Sequence, residues 1–251
     1  MNGETGLRYS LTREQWIIVA TLVLATAIAW LSLLSMDMDG GSTARWSPGY
    51  AFMVFVMWAI MMVAMMLPSA MPMILLYAKV ASQPHGNESV LAPAFVFAGT
   101  YLLLWTGFSA AATMLQWGLS ETGLISGATM AIGDARVAGG LLIAAGLYQL
   151  TPLKQVCLRN CRSPFSFLTS HWRPGYAGAI RLGLVHGLYC LGCCWMIMVL
   201  LFAGGVMNVA WVAVLAAVVL VEKVFPFGER IGQGAGVVAV AVGVVMMSGY
   251  F

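Results

Sequence analysis

Long apolar stretches recur along the whole chain and constrain its fold more than any other feature. The sequence has 251 residues, of which 61% are hydrophobic and 8% are charged, whereas soluble domains contain roughly 25% charged residues. Several stretches approach the ~20 residues that a helix needs to cross a hydrocarbon layer about 30 Å thick. Because a helix satisfies its own backbone hydrogen bonds in lipid, the sequence predicts an all-α, polytopic transmembrane helical bundle.

Seven spans are predicted from the positions of these stretches. They are Trp16 to Leu34, Ala51 to Tyr77, Pro93 to Leu119, Ala135 to Leu150, Leu182 to Leu201, Asn208 to Val224, and Gly234 to Tyr250. Short cytoplasmic loops carry an excess of Lys and Arg, which here predicts a cytoplasmic N-terminus and a periplasmic C-terminus. The inner segments then hold Arg8, Arg13, Lys79, Lys154, Arg159, Arg162, Arg173, Arg181, Lys223 and Arg230, against Arg45 and Arg136 outside.

Polar segments are too short to form a second domain, so residues 1–251 are expected to be a single integral membrane domain. The net charge is +3, but membrane topology already explains the cations, and nucleic-acid binding is therefore excluded. The sequence contains no catalytic Ser/His/Asp set, phosphate loop or paired intramembrane carboxylates, and so it does not indicate an enzyme. Close helix packing is expected at the glycines around span four and at the start of span seven, namely Gly127, Gly133, Gly139, Gly140, Gly146, Gly232, Gly234 and Gly236.

The segment from Arg181 to Trp195 is the strongest candidate for chemistry. His186, Cys190 and Cys193 stand at i, i+4 and i+7, which share one helix face, and Cys194 follows Cys190 by one turn. At this distance from the basic end the residues would lie near the bilayer midplane, where ionisable groups indicate function. Thiolates with an imidazole favour Cu(I) or Zn(II) as the metal. The alternative is that the cysteines pack as small hydrophobic residues.

Methionines form a second pattern, in span two. Met53, Met57, Met61 and Met65 recur at intervals of four and place thioethers along one helix face. Thioether sulfur is a neutral soft ligand that selects Cu(I), although methionine is also an ordinary core residue. The two patterns together favour Cu(I), with zinc as the alternative, and Met61 and Met65 are the predicted methionine ligands.

Two further groups of polar residues follow in the sequence. Cys157 and Cys161 are four residues apart, share a face if their segment is helical, and have basic neighbours that favour the thiolate form. They are therefore candidates for metal capture or thiol exchange, with a structural role as the alternative. Glu222 and Lys223, at the end of span six, are interpreted as anchors at the membrane surface.

Three phrases resemble a bacterial family of predicted metal-binding integral membrane proteins. They are Trp58 to Pro68 with its paired methionines, Leu153 to Cys157 with Cys161, and His186 to Trp195; Glu222 and Lys223 before Pro226 fit the same pattern. The resemblance extends from about Ala51 to Met246. It implies a location in the bacterial inner membrane and binding of a metal, but no reaction.

Three functions remain open at this point. The leading hypothesis is a protein that binds or moves Cu(I) at an intramembrane Cys/His site, with the bilayer, the metal ion and a metal chaperone or membrane-complex subunit as partners. The second is a transmembrane thiol–disulfide relay that links Cys190 and Cys193 to Cys157 and Cys161. The third is a non-catalytic accessory subunit of a membrane complex.

Overall fold

The computed structural model describes residues 11–36, 46–82, 89–126 and 129–248. In chain order its helices are α1 (Arg13–Ser35), α2 (Pro48–Ala81), α3 (Leu91–Glu121), α4 (Ala135–Leu150), α5 (Pro152–Arg162), α6 (Pro164–His171), α7 (Gly175–Val199), α8 (Leu201–Gly204), α9 (Val209–Val224) and α10 (Gly228–Met247). Between α3 and α4, strands β1 (Ile125–Ser126) and β2 (Ala131–Ile132) pair antiparallel. The predicted helical class is confirmed.

Each of the seven predicted spans falls on a helix over its described residues, but the helices differ in length, and Tyr250, the predicted end of the last span, lies outside the described residues. Five segments are long and apolar enough to cross a membrane: α1, α2, α3, α7 with α8, and α10. The pair α4 and α5, bent by 63° where they join, makes a sixth if it is counted as one broken span. α9 has 16 residues, a length of about 24 Å against the ~30 Å of a hydrocarbon layer. The number of spans therefore stays a prediction.

The outside of the bundle is apolar and its centre is formed by α2 and α7. Of the 18 most apolar consecutive residues in each helix, only 22% are buried in α1 and 17% in α10, whereas 50% are buried in α2 and in the α7–α8 segment. Leu31, Leu34 and Val238 are each more than 60% exposed. An apolar outer surface of this kind is what a helical bundle presents to lipid.

Glycines bring α4 and α10 together. A β-carbon at Gly139 would lie 2.7 Å from the carbonyl oxygen of Gly243, and one at Gly146 would lie 2.5 Å from that of Gly236. Only a residue without a side chain allows this approach. The packing prediction is confirmed for these positions, whereas Gly140 and Gly234 face open space and have no such role. Gly127 lies outside the described residues.

Burial changes the charge count from which the orientation was predicted. Lys154 and Lys223 are only 1% and 8% exposed, so they are not loop cations. Arg8 and Arg45 lie outside the described residues. Seven described basic residues remain on the predicted inner side, against Arg136 outside. The imbalance keeps its direction, and the orientation stays a prediction.

Candidate metal centre

α7 presents three thiols to the interior of the bundle. Cys190, Cys193 and Cys194 are each 1% exposed, and spacings of three and four residues place them side by side on one helix face. The Sγ atoms of Cys193 and Cys194 donate hydrogen bonds to the Cys190 carbonyl oxygen, at 3.1 and 2.8 Å. The three thiols therefore share one buried face, as their spacing predicted.

Sulfur atoms from two other helices meet this face. On α5, the Sγ of Cys161 lies 3.9 Å from the Sγ of Cys193. On α2, the Sδ of Met66 lies 3.8 Å from the Sγ of Cys194. We call these five residues the sulfur cluster: Cys161, Cys190, Cys193, Cys194 and Met66. Its members come from three helices that are distant in sequence.

Cys157 lies beside the sulfur cluster and contacts α7 at a glycine. A β-carbon at Gly192 would be 2.7 Å from the Cys157 sulfur, so the missing side chain makes room for this thiol. The segment is helical, and Cys157 and Cys161 both pack against the core, as their spacing predicted.

The cations that flank these two thiols point elsewhere, however. Lys154 pairs with Glu222, Arg159 with Glu229, and Arg162 with backbone carbonyl oxygens. The prediction that these cations favour the thiolate form of Cys157 and Cys161 is therefore wrong.

An ammonium group from α9 enters the sulfur cluster. Lys223 Nζ lies 2.9 Å from Cys190 Sγ and 3.9 Å from Cys194 Sγ, and it donates to Ser69 Oγ at 3.2 Å. The hydroxyl of Tyr101, on α3, is 3.0 Å from the same Cys190 sulfur. A buried ammonium needs a partner of opposite charge, and the closest ionisable neighbour of Lys223 is the Cys190 thiol. The contact therefore favours a thiolate at Cys190.

The interpretation of Glu222 and Lys223 as surface anchors is wrong. Both are buried, at 2% and 8% exposed, because their side chains face the interior of the bundle, although the next residues, Val224 and Phe225, are exposed. The sequence did indicate a functional position here, since a charged pair stands at the end of an otherwise apolar helix. Intramembrane charges indicate function by default, and that rule identifies Lys223 where the anchor interpretation misses it.

Glu222 belongs to a separate buried network. Its carboxylate accepts hydrogen bonds from Lys154 Nζ and Gln149 Nε2, both at 2.6 Å. Lys154 is 1% exposed, so the ion pair is fully enclosed. Gly232 on α10 leaves the space for this carboxylate, because a β-carbon there would lie 2.5 Å from its oxygen. The network ties α4, α5, α9 and α10 together.

His186 is buried one turn before Cys190, within a group of aromatic rings. Its ring centroid lies 5.6 Å from that of Tyr101 and 5.5 Å from that of Phe167. Its Nδ1 atom is buried and has no hydrogen-bond partner among the described residues. Buried polar atoms nearly always have a partner. Because this nitrogen has none among the described residues, it is available to bind a metal ion. No hydrogen bond joins the imidazole to a cysteine within the described part of the chain.

The methionine stripe is only partly internal. Met53 is 68% exposed, whereas Met57, Met61 and Met65 are buried. Met61 and Met65 thus lie in the core, but the contact with a cluster thiol is made by Met66, the next residue after the stripe. Successive helix residues point about 100° apart. The face that meets α7 is therefore not the face with the most regular spacing.

Within the described ranges, no three His, Cys, Asp or Glu side chains are arranged as a ready-made metal site. Sulfur atoms instead approach in pairs, Cys161 with Cys193 and Cys194 with Met66. Thiolate and thioether groups are the ligands that soft ions prefer. The arrangement can supply two or more sulfur ligands to such an ion from neighbouring helices.

These features define a helical bundle with a buried group of soft ligands. A family model described as PpoB2, copper chaperone, matches residues 55–246, and the chain belongs to this family. Comparisons with curated proteins and with solved structures find no significant match. The family description supports a relation to copper. The resemblance to a metal-binding membrane family is supported only to that extent.

Proposed function

We propose that this protein binds Cu(I) within the inner membrane of a bacterium, at the sulfur cluster, and passes it to or from a protein partner. The observation that carries the proposal is the convergence of sulfur atoms from α2, α5 and α7 at one place, where all of them except the half-buried Cys161 are enclosed. Cysteine and methionine select Cu(I) over harder ions. The ion is cargo in this proposal, and a metal chaperone or a membrane-complex subunit supplies or receives it.

Charge balance gives Lys223 a role in the proposed site. Two thiolates with one Cu(I) carry a net charge of −1, and the ammonium beside Cys190 cancels it. Burying a net charge without a counter-ion is costly. A neutral group of copper, two thiolates and Lys223 therefore suits an apolar interior.

The same balance favours copper over zinc. A divalent ion with two thiolates and Lys223 leaves one uncancelled positive charge. Structural zinc sites also use four nitrogen or sulfur ligands in a tetrahedron, and a thioether such as Met66 is a ligand for softer ions. Zinc thus needs a third thiolate to cancel this charge and four ligands in all, whereas Cu(I) needs only two thiolates.

His186 remains a candidate ligand beside the sulfur cluster, whereas Cys157, Met61 and Met65 are candidate ligands for the ion only while it enters or leaves the cluster. The unpartnered Nδ1 of His186 supports a contribution from that side chain. Met61 and Met65 are buried along the same helix as Met66 and can receive the ion in turn if it moves through the bundle. The apolar exterior of the bundle supports insertion in a membrane.

Metal content tests the proposal directly. The full chain is purified in detergent without oxygen, and the copper and zinc in native protein are compared with those in the double variant Cys190→Ser/Cys193→Ser. Cys157→Ser is the matched control, because it removes a thiol that lies beside the cluster. We expect stoichiometric copper in the native protein and the control, and none in the double variant. Unchanged copper in the double variant, or no copper in any sample, contradicts the proposal.

A thiol–disulfide relay is the second candidate, and one distance favours it. The sulfur atoms of Cys161 and Cys193 lie 3.9 Å apart on different helices, whereas Cys193 within α7 bonds to the backbone of Cys190. A disulfide of a partner protein is reduced to two thiols as Cys161 and Cys193 form one disulfide, so electrons and protons balance. The structure thus favours this pair over Cys190 with Cys193.

Trapping separates the relay from the copper site. A small-molecule disulfide is added to metal-free protein, and bridges are mapped by mass spectrometry. The relay predicts a Cys161–Cys193 bridge that forms and exchanges rapidly, with Cys157→Ser behaving as native. Absence of this bridge counts against the relay. If copper and the bridge are both absent, the accessory-subunit hypothesis is the one that remains.

A further inference from the structure

A cavity of about 560 Å³ lies outside the sulfur cluster, between the end of α5 and the turn that joins α9 to α10. Arg159, Arg162 and Arg230 line it together with one acidic residue, Glu229. Its lining therefore carries a net charge of +2. Neither the copper proposal nor the family description uses this cavity.

The three guanidinium groups differ in how they are held. Arg162 donates through Nη2 to the carbonyl oxygens of Phe225 and Pro226, at 2.7 and 2.6 Å, which fixes the group and leaves its other N–H donors available. Arg159 is 70% exposed and lies 3.6 Å from Glu229, a weak surface pair. Arg230 is exposed and has no ion pair or hydrogen bond from its side chain in the described part of the chain.

Apolar rings stand next to these charges. Phe225 and Phe227 lie at the turn where α10 begins, and they are 55% and 66% exposed. α10 is one of the helices that are long and apolar enough to cross a membrane. Arginines at the end of such a helix are typical of a membrane–water interface, and the exposed phenylalanine rings offer apolar surface beside them.

We propose that this cavity binds the phosphate group of an anionic phospholipid, with the exposed phenylalanine rings against its acyl chains. Arginine donors match phosphate oxygens in charge and in geometry. Basic pockets between helices at the cytoplasmic side are known to hold anionic headgroups. The inference relies on the membrane location proposed above, but it does not depend on copper.

The test uses full-length protein in detergent with equal amounts of phosphatidylglycerol and phosphatidylcholine, and bound lipid is counted by native mass spectrometry. We expect retention of phosphatidylglycerol, weakened about fivefold by each arginine removed in Arg159→Gln and Arg230→Gln. The matched control is Arg173→Gln/Arg181→Gln, because both of these arginines are exposed and neither lines the cavity. The control should bind lipid as the native protein does.

Several outcomes overturn the inference. Equal retention of both lipids shows that charge is not recognised, and equal losses in the control show general surface attraction. A separate arm adds inorganic phosphate: if phosphate alone displaces the lipid at millimolar concentration, the site takes a soluble anion instead. Single Arg230→Gln keeps the test valid if the double variant does not fold. Copper measured in the same samples should not change, which separates this test from that of the metal site.

Discussion

Two adjacent residues of α9 enter opposite kinds of surroundings. Glu222 meets the ammonium of Lys154 and the amide of Gln149, so its charge and its hydrogen bonds are satisfied. Lys223 meets the thiols of the sulfur cluster, the nearest being Cys190, and has no carboxylate partner in the described ranges. The charge of Glu222 is balanced within a complete ion pair, whereas the charge of Lys223 is balanced by a group that can also bind a metal.

This difference assigns a structural role to the Glu222 network and a chemical role to Lys223. A complete buried ion pair cannot exchange a partner without leaving a charge unpaired, so it holds helices in place. A thiol beside an ammonium can bind a soft cation, because the ammonium then offsets the excess negative charge of the copper–thiolate group. Changes to the two clusters should therefore affect different measurements.

The largest effect on stability is expected from Glu222→Gln. It leaves Lys154 as an unpaired buried cation, which should lower the free energy of unfolding by about 3–5 kcal/mol. The measurement is thermal or denaturant unfolding of the full chain in detergent. The matched control is Glu229→Gln, which breaks the exposed pair with Arg159 and should cost about 1 kcal/mol or less. Equal losses in the two variants would remove the distinction between the clusters.

Lys223→Met should change copper affinity and leave the fold intact. Once Lys223 is gone, the Cys190 sulfur takes up a proton and becomes a neutral thiol, so the variant buries no unpaired ion. Without the ammonium, copper should bind about tenfold to a hundredfold more weakly, the range found when partners of metal ligands are removed.

Competition with a coloured Cu(I) chelator measures this affinity. Lys223→Arg keeps the charge and should recover most of the binding. A Lys223→Met protein that binds copper as the native chain does would show that charge balance has no part in the site.

A smaller effect distinguishes two neighbouring methionines. Met66→Leu removes the thioether beside Cys194 and should weaken copper binding by about tenfold, whereas Met65→Leu should leave it nearly unchanged. Both exchanges conserve volume and should alter stability by less than about 1.5 kcal/mol. Chelator competition and unfolding on the same samples check this. A greater loss in Met65→Leu would instead favour the regular stripe as the path of the metal.

Within single helices, much of the site could be predicted from the sequence. Spacings of three and four residues placed Cys190, Cys193 and Cys194 together, and the structure buries all three. The same rule placed Cys157 and Cys161 on one face of α5. The prediction for Lys223 was wrong because the apolar character of α9 shows that the helix is membrane-like but not which of its side chains face the interior of the bundle.

The sequence by itself determined the helical class and the apolar surface, because hydrophobicity and helical spacing act within a few turns. It also determined which residues share a face. Only the tertiary structure decided that α5 folds back on α7, which brings Cys161 to Cys193, and that Met66 is the methionine that meets Cys194. These contacts depend on which helix faces pack together, and small residues and buried charges from distant segments fix that packing.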